Sequence, residues 1–352
     1  MRRCTRCILP DSCPKIEFDE NGVCNVCKDF EEKWSRFNQD KTLRKKELDR
    51  ILNFYRNKGR KYDCLVPVSG GLDSTYVLYL CKKVYNLRTL AFNFNNGFQS
   101  EIAKQNLENA IEELDIDFVK AGPSWKILKK LYALFFLKTG EFCTPCNAGI
   151  WSMSYKVAQD FSIPLVVSGS SDRMAERLPK DGRIYRWSTS YFREVVRDEI
   201  PIEELKEYLH LPQNFHNNML RSISDCFHSS ENINVLPLPD YVDWDIKLIL
   251  GTLKKELNWQ QNPAKFHHID CIMDSVGKYF KQKKWSFSAV TRYSMLVRNG
   301  QITRDEALEL TILEEKNVSQ EPPELRLWLK LLNLSKKDLE GFEKRSQSQY
   351  LK

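Results

Sequence analysis

The chain has 352 residues, 42% hydrophobic and 29% charged, with 54 Lys and Arg against 47 Asp and Glu for a formal charge of +7. That is the balance of an ordinary folded protein with one large and one smaller domain, not of a disordered tract, a fibre or a peptide-sized module. The longest apolar stretch, 128–137, contains Lys129 and Lys130 and falls short of the roughly 20 residues that span a bilayer, so no membrane insertion is expected; Arg2, Arg3 and Arg6 around Cys4 and Cys7 leave no apolar export signal there, and a cytoplasmic protein is expected.

Residues 1–30 hold four paired cysteines, Pro10 and Gly22 but too little apolar material for a core. Metal cross-linking would supply the missing folding free energy, which predicts a four-cysteine zinc ribbon. A charged amphipathic helix over 31–57, with Trp34, Phe37, Leu48, Ile51, Leu52 and Tyr55 as its apolar contacts, links it (31–58) to the next unit and stops at Gly59. An apolar run at 62–68 precedes a Gly-containing loop and a helix through 84. Strand 88–94, helix 99–114 and strand 116–120 follow, then helices 125–138 and 148–159, strand 163–168 and a turn at 169–172. This rhythm is that of βα units, so the fold class is α/β with a parallel sheet over 59–200. From 201 to 352 helices dominate, at 202–211, 246–257, 272–281, 288–298, 304–312 and 323–331, with a Pro- and Leu-rich stretch at 232–242; this region is expected to bind substrate or partner and to cover the open side of the site.

The loop Ser69-Gly70-Gly71-Leu72-Asp73-Ser74-Thr75 lies between a strand and a helix, which aims backbone N–H groups and a helix N-terminus at an anion. Gly70 and Gly71 permit a tight turn and close approach, Ser69, Ser74 and Thr75 offer hydroxyls, and Asp73 is suited to a Mg²⁺ that bridges phosphates. The loop is neither a Walker loop nor the Gly-x-Gly-x-x-Gly of a dinucleotide fold; the plainer reading is a β-turn with Asp73 as a helix cap. Asp172 and Arg173 follow a strand end, where open parallel sheets present ligand-binding residues: Asp172 would assist Mg²⁺ and Arg173 would hold a leaving phosphate or a substrate carboxylate. A surface turn would place them there equally well. The aromatics of 125–136 read as core rather than as a base-stacking platform, and no element is specific for nucleic acid.

Six of the 11 cysteines form Cys-x-x-Cys pairs at 4/7, 24/27 and 143/146. Cys4, Cys7, Cys24 and Cys27 make two knuckles suited to one tetrahedral Zn²⁺ with no open position, hence structural. Cys13 lacks the paired spacing. Cys143 and Cys146 cannot close a zinc site alone; a third thiolate from Cys226 or Cys271 would leave one coordination position of a [4Fe-4S] cluster open for chemistry, while a redox-active pair or a structural pair are the other readings.

The loop resembles the Ser-Gly-Gly-x-Asp-Ser signature of the ATP pyrophosphatase superfamily. More closely, Cys4-Thr5-Arg6-Cys7-Ile8-Leu9-Pro10-Asp11, the 16–27 segment ending in Cys24-Asn25-Val26-Cys27, Cys143-Thr144-Pro145-Cys146-Asn147, His267-His268-Ile269-Asp270-Cys271 and the 299–307 segment resemble the N-acetyl sugar amidotransferases of bacterial surface polysaccharide and nonulosonic (pseudaminic or legionaminic) acid pathways. The likeness runs over about residues 1–315. It favours Cys271, in a family-like segment, as the third thiolate. Leu72 departs from it, standing where the superfamily often has Lys.

The resemblance implies an ATP pyrophosphatase fold and an amide oxygen that takes AMP from ATP, releasing pyrophosphate, after which ammonia displaces AMP and acetamido becomes acetamidino. It also implies partners, because the chain shows no glutamine-cleaving domain: a HisH-like glutaminase and a HisF-like ammonia-conducting subunit, acting on an acetamido sugar. The main alternative is tRNA thiolation, the same adenylation followed by sulfur transfer at a three-cysteine cluster. A non-enzymatic zinc-ribbon interaction protein would leave the 69–74 loop without a purpose.

Overall fold

The computed structural model describes residues 2–13, 15–171, 173, 189–201, 203–205, 233–261, 269–285, 288–318 and 320–344. Two helices, α1 (Asn25–Gln39) and α2 (Lys41–Tyr55), replace the single helix expected over 31–57. The break falls at Asp40, whose carboxylate accepts from Leu43 N at 2.8 Å and so caps α2. Then come β1 (Cys64–Pro67), α3 (Leu72–Tyr79) running into one π turn at Leu80–Val84, β2 (Thr89–Phe94), α4 (Glu101–Leu114), β3 (Asp117–Ala121), α5 (Trp125–Thr139), α6 (Thr144–Asp160) and β4 (Leu165–Ser168). After α7 (Thr189–Val196) a strand absent from the sequence reading, β5 (Asn234–Pro237), joins the sheet. The C-terminal helices are α8 (Ile246–Leu257), α9 (Asp274–Trp285), α10 (Ser288–Arg298), α11 (Arg304–Val318), α12 (Leu325–Leu332) and α13 (Lys336–Lys344). The last was not expected, and α11 runs six residues past its expected end.

The five strands are parallel in the order β3-β2-β1-β4-β5. Chain direction across the sheet reverses between β1 and β4, so the crevice beyond their C-terminal ends is the switch point where open α/β sheets take ligands. Alternation explains why both faces are covered. Leu65, Leu90, Phe92, Val166 and Val235 face one apolar layer with α5 and α6, while Cys64, Val66, Ala91, Leu165, Val167 and Leu236 face another with α2, α3, α4 and α8. The aromatics of α5 are core, as expected: Tyr132, Phe135 and Phe136 are buried, and Phe136 meets Trp328 of α12 edge-on at 4.7 Å.

A third apolar layer joins the two ends of the chain. Cys4, Cys7, Ile8, Leu9, Cys24 and Cys27 pack with Ala289, Val290, Tyr293, Met295 and Leu296 of α10 and Ala307 of α11. The N-terminal unit therefore obtains from the C-terminal helices the apolar contact its own residues lack. Among the described residues no helix is long and apolar enough to cross a membrane.

Candidate functional site

The 69–74 loop leaves β1 at the switch point and is held from three sides. Gln99 Nε2 donates to Ser69 O at 3.0 Å, Trp259 Nε1 to Gly70 O at 3.1 Å, and Asn93 Nδ2 to Val68 O at 2.7 Å. Gly70 has φ +86°, and a Cβ there would lie 2.0 Å from Ala103 O of α4, so the backbone passes where no side chain fits. Within the loop, Ser74 Oγ accepts from Ser69 N at 3.1 Å and lies 3.1 Å from Ser69 Oγ; Gly71 N donates to Ser69 Oγ at 3.2 Å. Thr75 is turned inward, donating to Gly71 O at 2.7 Å, and is fully buried. The two serine hydroxyls thus close on each other and on the loop backbone, while Thr75 secures the first turn of α3. On its other side the loop touches the turn after β4, since a Cβ on Gly169 would come within 3.3 Å of Asp73 C and Ser74 N.

Asp73 opens α3 and is exposed, with one carboxylate oxygen accepting from Trp244 Nε1 at 2.9 Å. Arg173 is buried: its guanidinium donates to Pro239 O at 2.6 Å and Val242 O at 3.3 Å, and burial lowers its pKa. In this arrangement Arg173 ties the turn after β4 to the segment after β5. Its Nε is buried without a hydrogen-bond partner among the described residues. Asp172, Cys226, His267 and His268 lie outside the described residues, as do His210, His216 and His228.

Cys143, Cys146 and Cys271 converge on the edge of the layer beside this loop. Cys143 is the N-cap of α6, whose first-turn N–H groups at 143 and 144 donate to Glu141 Oε2 at 2.7 and 3.0 Å; Cys146 is one turn on, and Asn96 Nδ2 donates to its sulfur at 3.7 Å. Cys271 reaches them through an antiparallel bridge with Gln99, the residue that holds Ser69. Burial pushes the Cys271 thiol up, with the charges of Cys146, Asp270 and Cys143 adding to the effect; burial raises Cys143 as well, and lifts Cys146 to about 11. Asp270 lies between the thiols and the loop, its Oδ2 within 3.3 Å of where a Gly71 Cβ would be.

The four N-terminal thiols form a different kind of centre. Their sulfurs all lie within 4.8 Å of one another, with Cys4 to Cys27 at 3.9 Å and Cys7 to Cys24 at 3.8 Å. Tetrahedral Zn²⁺ with Zn–S of about 2.3 Å requires S···S of about 3.8 Å, so the donor set fits that ion. Backbone N–H groups of Cys7 and Cys24 donate to the Cys4 sulfur at 3.4 and 3.2 Å, the polar support expected around a thiolate. The four facing thiols titrate together: their mutual hydrogen bonds lower Cys4 and Cys7, while Cys24 and Cys27 are raised. Cys13 stays outside the set, its thiol pushed up to about 12 by burial. Among the described residues this is the one group of at least three Cys, His, Asp or Glu ligand atoms packed so tightly.

Trp244, Trp259, Gln99 and Asp270 escaped the sequence reading. Asp270 stood beside Cys271 in a segment already singled out, and its acidic side chain next to a candidate ligand was the available signal. The tryptophans carried none, because their indole N–H partners are 171 and 189 positions away.

Residues 260–352 match the family model described as LPS biosynthesis protein WbpG-like, C-terminal domain. An uncharacterized protein of Methanocaldococcus jannaschii is 25% identical over 172 residues, covering 47% of this chain and 58% of that protein, so the chain spans little more than half of the curated relative it matches. Among solved structures, NMN synthetase from Francisella tularensis is 14% identical, with 84% of this chain and 98% of that chain covered at a TM-score of 0.32. That likeness is too loose to inform the site.

Proposed function

We propose that this protein is an ATP-dependent enzyme of surface-sugar biosynthesis that converts an acetamido group to acetamidino. What supports this reading is the Ser-Gly-Gly-x-Asp-Ser loop at 69–74, which lies at the switch point of a parallel sheet and would cradle a phosphate, in a chain whose C-terminal segment matches a lipopolysaccharide biosynthesis domain. An amide carbon is a poor electrophile because its nitrogen delocalises into the carbonyl. The amide oxygen attacks the α-phosphorus of ATP, the α–β bond breaks, and pyrophosphate leaves. Ammonia then adds to the carbon, the C–O bond to AMP breaks, and one proton is lost from the incoming nitrogen. The loop N–H groups and the Ser69 and Ser74 hydroxyls would meet the phosphate charge, with Mg²⁺ at Asp73.

Ammonia would come from a HisH-like glutaminase, with a HisF-like subunit to conduct it away from bulk water. Cys143, Cys146 and Cys271 would hold a [4Fe-4S] cluster beside the phosphate cradle. Their convergence favours a second reading, tRNA thiolation, in which sulfur replaces nitrogen as the nucleophile.

Purified protein incubated with ATP, Mg²⁺, ammonium and a panel of nucleotide-linked and nonulosonic acetamido sugars should yield a product one mass unit lighter, the change from C=O to C=NH, with AMP and pyrophosphate in equal amounts. Asp73→Asn should slow this at least about tenfold, roughly 1.4 kcal/mol in the barrier. Thiolated tRNA from the same protein, with every sugar unchanged, would replace this reading by the second.

A further inference from the structure

The residues that fix Asp73 lead back to the four-cysteine unit. Trp244 is buried, stands edge-on to Tyr76 at 5.4 Å, and donates its indole N–H to Asp73. It belongs to a strap that follows β5 and is gripped along its length. Arg173 holds the carbonyls of Pro239 and Val242, Lys41 and Arg44 of α2 pair with Asp243 at 2.7 and 2.8 Å, and Gln301 Nε2 donates to Trp244 O at 3.3 Å. Gln301 sits in the turn between α10 and α11, beside Gly300 at φ +67°. From the same turn Asn299 Nδ2 donates to Arg173 O at 3.1 Å.

That turn is closed by a capping box. Thr303 N donates to Glu306 Oε2 at 2.7 Å and Glu306 N donates to Thr303 Oγ1 at 3.2 Å. The next residue, Arg304, donates its Nε to Cys4 O at 3.2 Å and Cys7 O at 3.1 Å, the carbonyls of the first metal knuckle. A continuous path of hydrogen bonds and a few residues of chain thus runs from the knuckle through Arg304, Gln301 and Trp244 to the carboxylate at the head of α3.

We propose that Trp244 is a positioning residue for the Asp73 carboxylate and that the four-cysteine unit, when its metal is bound, sets the cation site of the nucleotide cradle through the 299–304 turn. The physical basis is that Asp73 Oδ1 accepts the indole N–H, which restricts the rotation of the carboxylate at the head of α3. The strap that carries the indole has its inner end fastened to the turn the knuckle clamps. The cysteine unit then has a role at the site although it contributes no atom to it. This inference rests on the reading of Asp73 as the Mg²⁺ ligand.

The experiment uses the full chain and reads nucleotide binding rather than turnover. At fixed ATP, Mg²⁺ is titrated and the half-saturating concentration compared for wild type, Asp73→Asn, Trp244→Phe and Arg304→Ala. Trp244→Phe keeps an aromatic ring and loses the N–H, so a rise of about three- to tenfold is expected, the net value of one ordinary hydrogen bond. Arg304→Ala should give a rise of the same order. In parallel, hydrogen exchange is followed on metal-loaded protein and on protein treated with a chelator. Chelation should raise exchange at 239–245 and 299–304 as well as at 2–30.

A change confined to 2–30, or unaltered Mg²⁺ dependence in folded Trp244→Phe while Asp73→Asn shifts it, would overturn the inference and leave the reading of Asp73 intact. Unaltered Mg²⁺ dependence in Asp73→Asn would instead remove that reading, and the inference with it. Should Arg304→Ala fail to fold, the exchange measurement on wild-type protein decides the link to the cysteine unit.

Discussion

The two glycines of the phosphate loop should fail in different ways when given a methyl group. At Gly70, with φ +86°, the new Cβ would lie 2.0 Å from Ala103 O and 2.7 Å from its carbonyl carbon, both backbone atoms of α4. Left-handed backbone costs a non-glycine residue about 1–2 kcal/mol, and forcing a helix turn aside costs about 1–3 kcal/mol more. The Gly70 carbonyl that accepts from Trp259 and Asn106 would also be displaced. Gly70→Ala is therefore expected to destabilise the protein by about 3 kcal/mol. At Gly71 φ is −75°, and a Cβ would meet Ser69 Oγ at 3.2 Å and Asp270 Oδ2 at 3.3 Å, both side-chain atoms that can yield. Gly71→Ala should cost under about 1 kcal/mol in stability and instead lower ATP affinity about tenfold or more, because its methyl occupies the mouth of the cradle. Urea denaturation and equilibrium dialysis with labelled ATP separate the two effects. If Gly70→Ala unfolds like wild type, or if Gly71→Ala binds ATP normally, the close approach of loop to α4 or the placement of the phosphates is wrong.

Elemental analysis of the purified full chain should find one tightly held zinc, lost in Cys24→Ser; a well-folded wild-type protein without metal would contradict the tetrahedral fit of the four sulfurs. Anaerobically purified protein should carry iron and sulfide that both vanish in Cys143→Ala and in Cys271→Ala, whereas their retention in Cys271→Ala would remove Cys271 from the ligand set. Asp63 is buried, which alone would raise its pKa, yet Arg88 and the N–H groups of Arg88 and Asn57 bring it below the usual 3.8. A depressed carboxylate stabilises the fold at pH values above its unfolded pKa and ceases to do so as pH falls through the folded value. Asp63→Asn should cost about 2 kcal/mol at pH 7, a figure held down by the partial exposure of Arg88, and the gap to wild type should close below about pH 4; a gap that does not vary with pH would mean that the charge contributes nothing.

Much of this architecture was legible because its signals are local. The βα units announce themselves by strand-length apolar runs, and the 69–74 loop by two adjacent glycines at a strand end. The four N-terminal cysteines are legible from spacing alone, since two knuckles of three-residue pitch fit one ion. β5 was not legible: four residues ending in Pro237 carry too little alternation, and the strand exists because β4 offers it a free edge and apolar layers wait on both faces. The break at Asp40 is hidden in a charged stretch without Gly or Pro. The docking of the N-terminal unit on α10 and α11 was beyond reach for a different reason, since Arg304 and Cys4 stand 300 positions apart and nothing in either segment names the other. Asp172, singled out for its place after a strand end, and His267 and His268, in a segment that resembles the family, fall outside the described residues.

The charge around the cradle constrains what can bind there. Residues 69–75 contain no Lys or Arg, so a phosphate finds N–H groups, two hydroxyls and the N-terminus of α3, each carrying only a fraction of a charge. Against these stand Asp73 at the head of the helix and Asp270 over Gly71. Two unit charges 4 Å apart interact by about 4 kcal/mol at an effective dielectric constant of 20, so a triphosphate beside two carboxylates would be repelled more strongly than the helix terminus attracts it. A divalent cation shared between carboxylate and phosphate reverses the sign of that balance. If Asp73 holds Mg²⁺ as proposed, Asp270 offers a second carboxylate to the same cation, and because it adjoins Cys271 in sequence, a cation that drew it toward the loop would also change the field at that thiol. In that reading the 69–74 loop and the three cysteines would be coupled through one side chain.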